Sequence, residues 1–183
     1  MILRFFAGAG LLILALAAPL RAAEAPKEDA AAVKACIDLA AEKAKKAGPA
    51  KDELDEKPGP EGRLAAAVEK AGRANESCIG VLAAACVQKA GNTSNGALIE
   101  CYSTEAAVWD QRLNSAYRAA LGKMEKDAAD NLRKTQRAWI LWRDASCRQP
   151  YLTFKGSMAG PMEAWCAMNL TARQAICMEG WTE

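Results

Sequence analysis

Seven cysteines and no histidine, in a chain of 183 residues, restrict this fold more than any other feature. Cys36, Cys78, Cys86, Cys101, Cys147, Cys166 and Cys177 form no C-x-x-C pair. Zinc sites built from closely spaced cysteine and histidine, thioredoxin-type redox chemistry and attached haem therefore lose their usual signatures. No metal and no other cofactor is expected. What remains is a set of structural disulfides, which belongs to an oxidising compartment.

The first residues supply a route to one. "MILRFFAGAGLLILALAAPLRAAEA" sets Arg4 ahead of an apolar run from Phe5 to Pro19, followed by small residues. The run is too short to span a bilayer comfortably, and the pattern is that of a secretory signal peptide over residues 1–23. Cleavage is expected after Ala22 or Ala23, since Pro26 disfavours a cut after Ala25. The expected location is periplasmic or secreted. No cysteine lies near these positions, so a lipid anchor is not expected. Removal of Arg4 and Arg21 turns 24 basic and 22 acidic residues into 22 and 22. A neutral chain has no basic stripe for nucleic acid and no long-range attraction to a membrane, so neither is expected as a partner after cleavage.

Residues 24–96 read as a helical N-terminal extension. A helix with a thin apolar stripe around Val33, Cys36 and Ile37 runs from Glu28 to about Ala47, and Gly48-Pro49 ends it. "GPAKDELDEKPGPEG", residues 48–62, is a Pro- and Gly-punctuated linker whose charge cluster is solvated. A second helical region spans Leu64 to Lys89, weakened by Gly72 and Gly80, and "AGNTSNGA" is a loop. Residues 97–183 form a second unit. Apolar residues at Leu98, Trp109, Leu113, Ala120 and Met124 recur at helical spacing, and another amphipathic helix runs from Ala129 to Cys147. The short connection between them predicts an antiparallel hairpin. "RQPYLTFKGSMAGP" is a loop, and a last helix runs from Pro161 to about Met178. No stretch alternates as a strand does. The expected fold is all-α, a disulfide-stapled helical bundle with a C-terminal antiparallel hairpin plus a third helix.

Sequence alone leaves many cysteine connectivities open, and neighbour logic ranks them. Cys36 with Cys78 would staple the first two helices, Cys86 with Cys101 would close the "NTSNG" loop, and Cys147 with Cys166 would close the Gly-rich loop. Cys177 is then the spare. In "QRAWILWRDASC" the helical period sets Gln136, Trp139 and Arg143 on the packing side, close to the direction of Leu132. A buried guanidinium needs partners. Glu105 faces the core beside Trp109, but helical rise places Asp110 and Asn114 closer to the height of Arg143, and these two are the expected partners. The simplest reading of this cluster is a network that holds helix register; a groove that binds a carboxylate or sugar is the other. The tryptophans, Trp139 and Trp142 among them, read mainly as core, with Trp181 as the exposed one.

The chain from Cys101 to Arg173 carries C-x(7)-WD-x(2)-LN-x(2)-Y, then Q-x(2)-W-x(3)-RD-x(2)-C, then G-S-x(8)-C-x(4)-T-x-R. This order of motifs resembles the LprI-like family of small secreted bacterial proteins, named for a lysozyme inhibitor. The resemblance falls on Trp109, Asp110, Asn114, Tyr117, Gln136, Trp139, Arg143 and Asp144. It implies an exported binding protein that occludes the cleft of lysozyme or a related enzyme, and not a catalyst. Tyr151, Phe154, Gly156 and Ser157 form the candidate binding loop. The alternative is a disulfide-stabilised envelope module that binds another periplasmic protein or peptidoglycan fragments. Residues 97–183 hold 11 basic and 10 acidic side chains, so they offer no acidic bias toward a basic enzyme. Catalysis without histidine would need paired carboxylates, for which Asp110 and Asp144 are the only nominees.

Overall fold

The computed structural model describes residues 25–46, 72, 75–91 and 93–181. The expected signal peptide, the linker at 48–62 and most of the first part of the second helical region lie outside the described residues. Helices α1 (Lys27–Lys46), α2 (Val81–Ala90), α3 (Asn95–Lys123), α4 (Lys126–Cys147), α5 (Gln149–Thr153) and α6 (Ala159–Glu179) account for nearly all of the rest, and no strand occurs among the described residues. The protein is an all-α, disulfide-stapled bundle.

The longest helix, α3, is the spine. Ser94 caps it by accepting from the Ala97 amide at 3.3 Å. Its buried face carries Cys101, Glu105, Val108, Trp109, Leu113, Ala116 and Ala120. Against it lies α6, whose Met168, Ala172, Ala175 and Met178 are buried in the same core. Alanines on both helices let the backbones approach, and at the start of α6 the approach is tight. A Cβ at Gly160 would stand 2.9 Å from Ile99 Cδ1 and 3.3 Å from the Tyr151 hydroxyl. With Gly160 beside Ile99 and Glu179 ion-paired to Arg112 at 2.8 Å, α3 and α6 run parallel.

The chain returns between them through α4. Gln174 Nε2 donates to Gln136 Oε1 at 3.1 Å, Arg143 donates to Thr171 Oγ1 at 3.2 Å, and Cys147 is bonded to Cys166, so α4 runs antiparallel to α6. It is therefore also antiparallel to α3, as a hairpin requires. Its main packing partner, however, is α6 and not α3. The reason is chemical. The apolar face of α3 is met by the small and sulfur-bearing side chains of α6, while the inward face of α4, interrupted by Gln136 and Arg143, meets polar groups on another side of α6.

Disulfides join the remaining elements in chain order. Cys36–Cys78 ties α1 to the turn before α2, Cys86–Cys101 ties α2 to α3, and Cys147–Cys166 ties the end of α4 to α6, with Cα separations of 5.8, 5.6 and 5.4 Å. Each contributes on the order of 2–4 kcal/mol, mainly by restricting the unfolded chain. Cys177 keeps an exposed free thiol. Helix α1 buries Val33 and Ala40, the thin stripe its sequence shows.

One buried carboxylate joins the N-terminal helices to the spine. Glu105 is fully buried on α3 and accepts from the amides of Gly80 at 2.6 Å and Ala83 at 2.7 Å, and from Trp109 Nε1 at 2.9 Å. Gly80 is the N-cap of α2 and has no side chain to offer, so a residue of another helix satisfies the free amides of the first turn. The negative group also sits at the positive end of that helix. Gly80 has φ +92, a left-handed conformation that favours glycine and turns the chain into α2.

Replacing Glu105 by Gln keeps the volume but turns one acceptor into a donor. It should lower the unfolding free energy by about 2 kcal/mol or more in urea denaturation of the oxidised protein. A loss under about 0.5 kcal/mol would mean these amides are satisfied without it.

Candidate functional site

Most of the motif residues hold the frame. Trp109 is fully buried against Glu105, Tyr117 is half-buried at the core, and Gln136 is buried in its bond to Gln174. Asp110 accepts from Asn114 Nδ2 at 2.8 Å, a bond within α3. Neither is the partner of Arg143. Arg143 instead reaches Thr171 on α6, donates through Nε to Asp144 Oδ1 at 2.9 Å, and stands 5.1 Å from the centre of the Trp139 ring. The expectation of Asp110 and Asn114 rests on α3 packing directly against α4, and α6 fills that role. The guanidinium lies at the edge of the core, with its side chain 19% exposed, so a hydroxyl, an aromatic face and a solvated carboxylate are enough to satisfy it.

The other candidate residues gather at the end of the bundle where α4 gives way to α6. The expected loop contains a short helix, α5. Pro150 occupies its first turn, where a missing amide costs nothing, and Phe154 N donates to Pro150 O at 2.9 Å. Lys155, at φ 47, then turns the chain left-handed. The Ala159 amide donates to Gly156 O at 3.0 Å, and Asn95 Nδ2, from the start of α3, donates to Ser157 O at 2.8 Å. The segment is thus closed by its own bonds, anchored to α3 and stapled at its base by Cys147–Cys166. From it Tyr151, Leu152 and Phe154 stand exposed, Leu152 by 69% and Phe154 by 63%.

Beside this segment runs a groove of about 260 Å³, lined almost wholly by apolar atoms. Leu98 and Tyr102 of α3 form one wall, Met162 and Trp165 of α6 the other, and Pro150 and Met158 close its mouth. Trp165 is half exposed. Sequence reading places Tyr151, Phe154, Gly156 and Ser157 in the candidate loop, and all four are surface residues here. Leu152 and Met158 lie in the same segment, "YLTFKGSMAG", without being singled out, and Trp165 reads as core. Only the clustering of Met158, Met162 and Trp165 at helical spacing could have signalled a second apolar side of α6. Trp142, expected inside, is 55% exposed. On the helical wheel it lies well off the face that Leu132, Gln136 and Arg143 share.

Fold and site together define a small disulfide-stapled helical module, with a tightly bonded frame and an apolar end. A family described as lysozyme inhibitor LprI matches residues 86–176, and the chain carries a domain of that family. The match begins at Cys86 on α2, so it includes the Cys86–Cys101 bridge. No curated protein and no solved structure matches the chain.

Arg143→Ala should cost about 1–2 kcal/mol through the lost Thr171 bond and Trp139 contact. Arg137→Ala, on the outer face of α4, should change stability by less than about 0.5 kcal/mol. Thermal unfolding of the two variants side by side checks this, and equal melting temperatures would remove the register role of Arg143.

Proposed function

We propose that the mature protein is exported to the periplasm or beyond and binds a lysozyme-type muramidase, blocking its substrate cleft by protein–protein contact. The family match carries this reading. Three disulfides in a chain of this size support an extracytoplasmic setting. The end bearing Tyr151, Leu152 and Phe154 supports the mode of action. Exposed aromatic and aliphatic side chains on a stapled segment make binding anchors that lose little freedom on association. The adjoining groove offers almost no polar atoms, so it suits an apolar side chain of a protein better than the hydroxyls of a saccharide. The charge balance of residues 97–183 predicts ordinary association rates with little dependence on salt.

The test is lysis of a bacterial cell-wall suspension by several lysozymes, with and without the oxidised mature protein. Dose-dependent protection at physiological salt is expected. The double variant Leu152→Ala, Phe154→Ala should need at least about tenfold more protein for the same protection, a loss of about 1.4 kcal/mol of binding. Its melting temperature should be unchanged, because both side chains are exposed. Absence of protection against every lysozyme overturns the reading, and full potency of the double variant removes this end of the molecule as its site.

A further inference from the structure

Helix α4 has two amphipathic faces, and the frame uses only one. Leu132, Gln136 and Arg143 cluster on the side of the wheel opposite Leu141, and they face α6. On the outer side Ala138, Leu141, Trp142 and Ala145 recur at i, i+3, i+4 and i+7, the spacing of a second apolar stripe. Leu141 is 73% exposed and Trp142 55%. Among the described residues none covers the greater part of either side chain.

One flank of that face, the side nearer Leu141 than Trp142, is basic. Lys134, Arg137 and Arg148 project in nearly the same direction as Leu141 on the wheel, and all three are exposed. Among the described residues no carboxylate lies within ion-pair distance of any of them. The nearby acids are committed elsewhere. Lys126 and Arg133 hold Asp130 and keep its carboxyl below its ordinary pKa, and Asp144 is paired with Arg143. Asp127, in the first turn, is about 10 Å along the axis from Lys134. Residues 134–148 contain four basic side chains and one acidic one, in a chain whose overall charge is nearly balanced. Neutrality of the whole conceals a local excess.

We infer that this outer face of α4 docks on the surface of an anionic lipid bilayer. Leu141 and Trp142 enter the boundary between headgroups and acyl chains, while Lys134, Arg137 and Arg148 lay their methylene stems along that boundary and put their charges on lipid phosphates. Two large apolar side chains on one convex helix are few for the apolar centre of a protein interface of standard size. They match an interfacial helix, whose binding adds a shallow apolar insertion to attraction by several cations. No helix of the described residues is long and apolar enough to cross a membrane, so the contact is peripheral.

Flotation of the oxidised mature protein with vesicles tests this, using phosphatidylglycerol mixed with phosphatidylcholine in one arm and phosphatidylcholine alone in the other. Binding is expected on the anionic vesicles at low salt, weaker at physiological salt, and absent on the neutral ones. Arg137→Glu with Arg148→Glu should reduce partitioning at least about tenfold. Leu141→Ser with Trp142→Ser should reduce it comparably, and both variants should keep the wild-type melting temperature because the residues are exposed. Trp142→Phe should still bind but lose most of the blue shift of tryptophan emission on binding. No flotation with anionic vesicles at low salt, equal flotation with neutral ones, or undiminished binding by the variants each overturns the proposal. Binding to soluble polyglutamate without binding to anionic vesicles also overturns it and assigns the face to an acidic polypeptide.

Discussion

The carboxylate of Glu105 is the contact on which the arrangement of helices depends. Itself fully buried, it receives the buried amide of Ala83 and the half-buried amide of Gly80 from the start of α2, and the indole of Trp109. A helix that starts at a glycine has no side chain with which to cap itself, and burying its free amides would otherwise cost about 1–3 kcal/mol each. Glu105 removes that cost and fixes the rotation of α3 about its own axis. Once Glu105 and Trp109 point inward, Cys101, Val108, Leu113 and Ala116 follow by periodicity, and the face that receives α6 is set.

Covalent and polar constraints then share the work. The Cys36–Cys78 and Cys86–Cys101 bridges flank the Glu105 joint, so α1 and α2 are held to the spine even though their apolar stripes are thin. At the other end Cys147–Cys166 closes the return of the chain, and Gln136–Gln174 and Arg143–Thr171 set the register of α4 on α6. The motif residues Trp109, Gln136, Trp139 and Arg143 are accordingly parts of a frame. The large apolar side chains that stay exposed lie at its margins, on the α5 segment and on the outer side of α4.

Helical periodicity is enough to place α1, α3, α4 and α6 within a few residues, because each has an apolar stripe long enough to set its phase. Neighbour logic selects the same three cysteine pairs that the structure contains, since each closes a gap between consecutive elements. The short helix α5 is hidden because Pro150 and the turn residues after it read as a loop. The partners of Arg143 are illegible for a topological reason: a hairpin tells which way two helices run, but not whether a third lies between them. Trp142 reads as core because it neighbours Trp139 in sequence, although its angle on the wheel departs from the buried face. That Glu105 faces the core is readable from its spacing to Trp109. The amides it receives belong to a turn 22 to 25 residues away and depend on the left-handed Gly80.

Native-state hydrogen exchange of the oxidised protein, resolved by residue, tests the Glu105 joint most directly. The amides of Gly80 and Ala83 are expected to exchange as slowly as those of Trp109 and Leu113 in the middle of α3, because they open only when the whole bundle unfolds. Exchange of Gly80 and Ala83 at the rate of a fraying helix end, with α3 still protected, would contradict this.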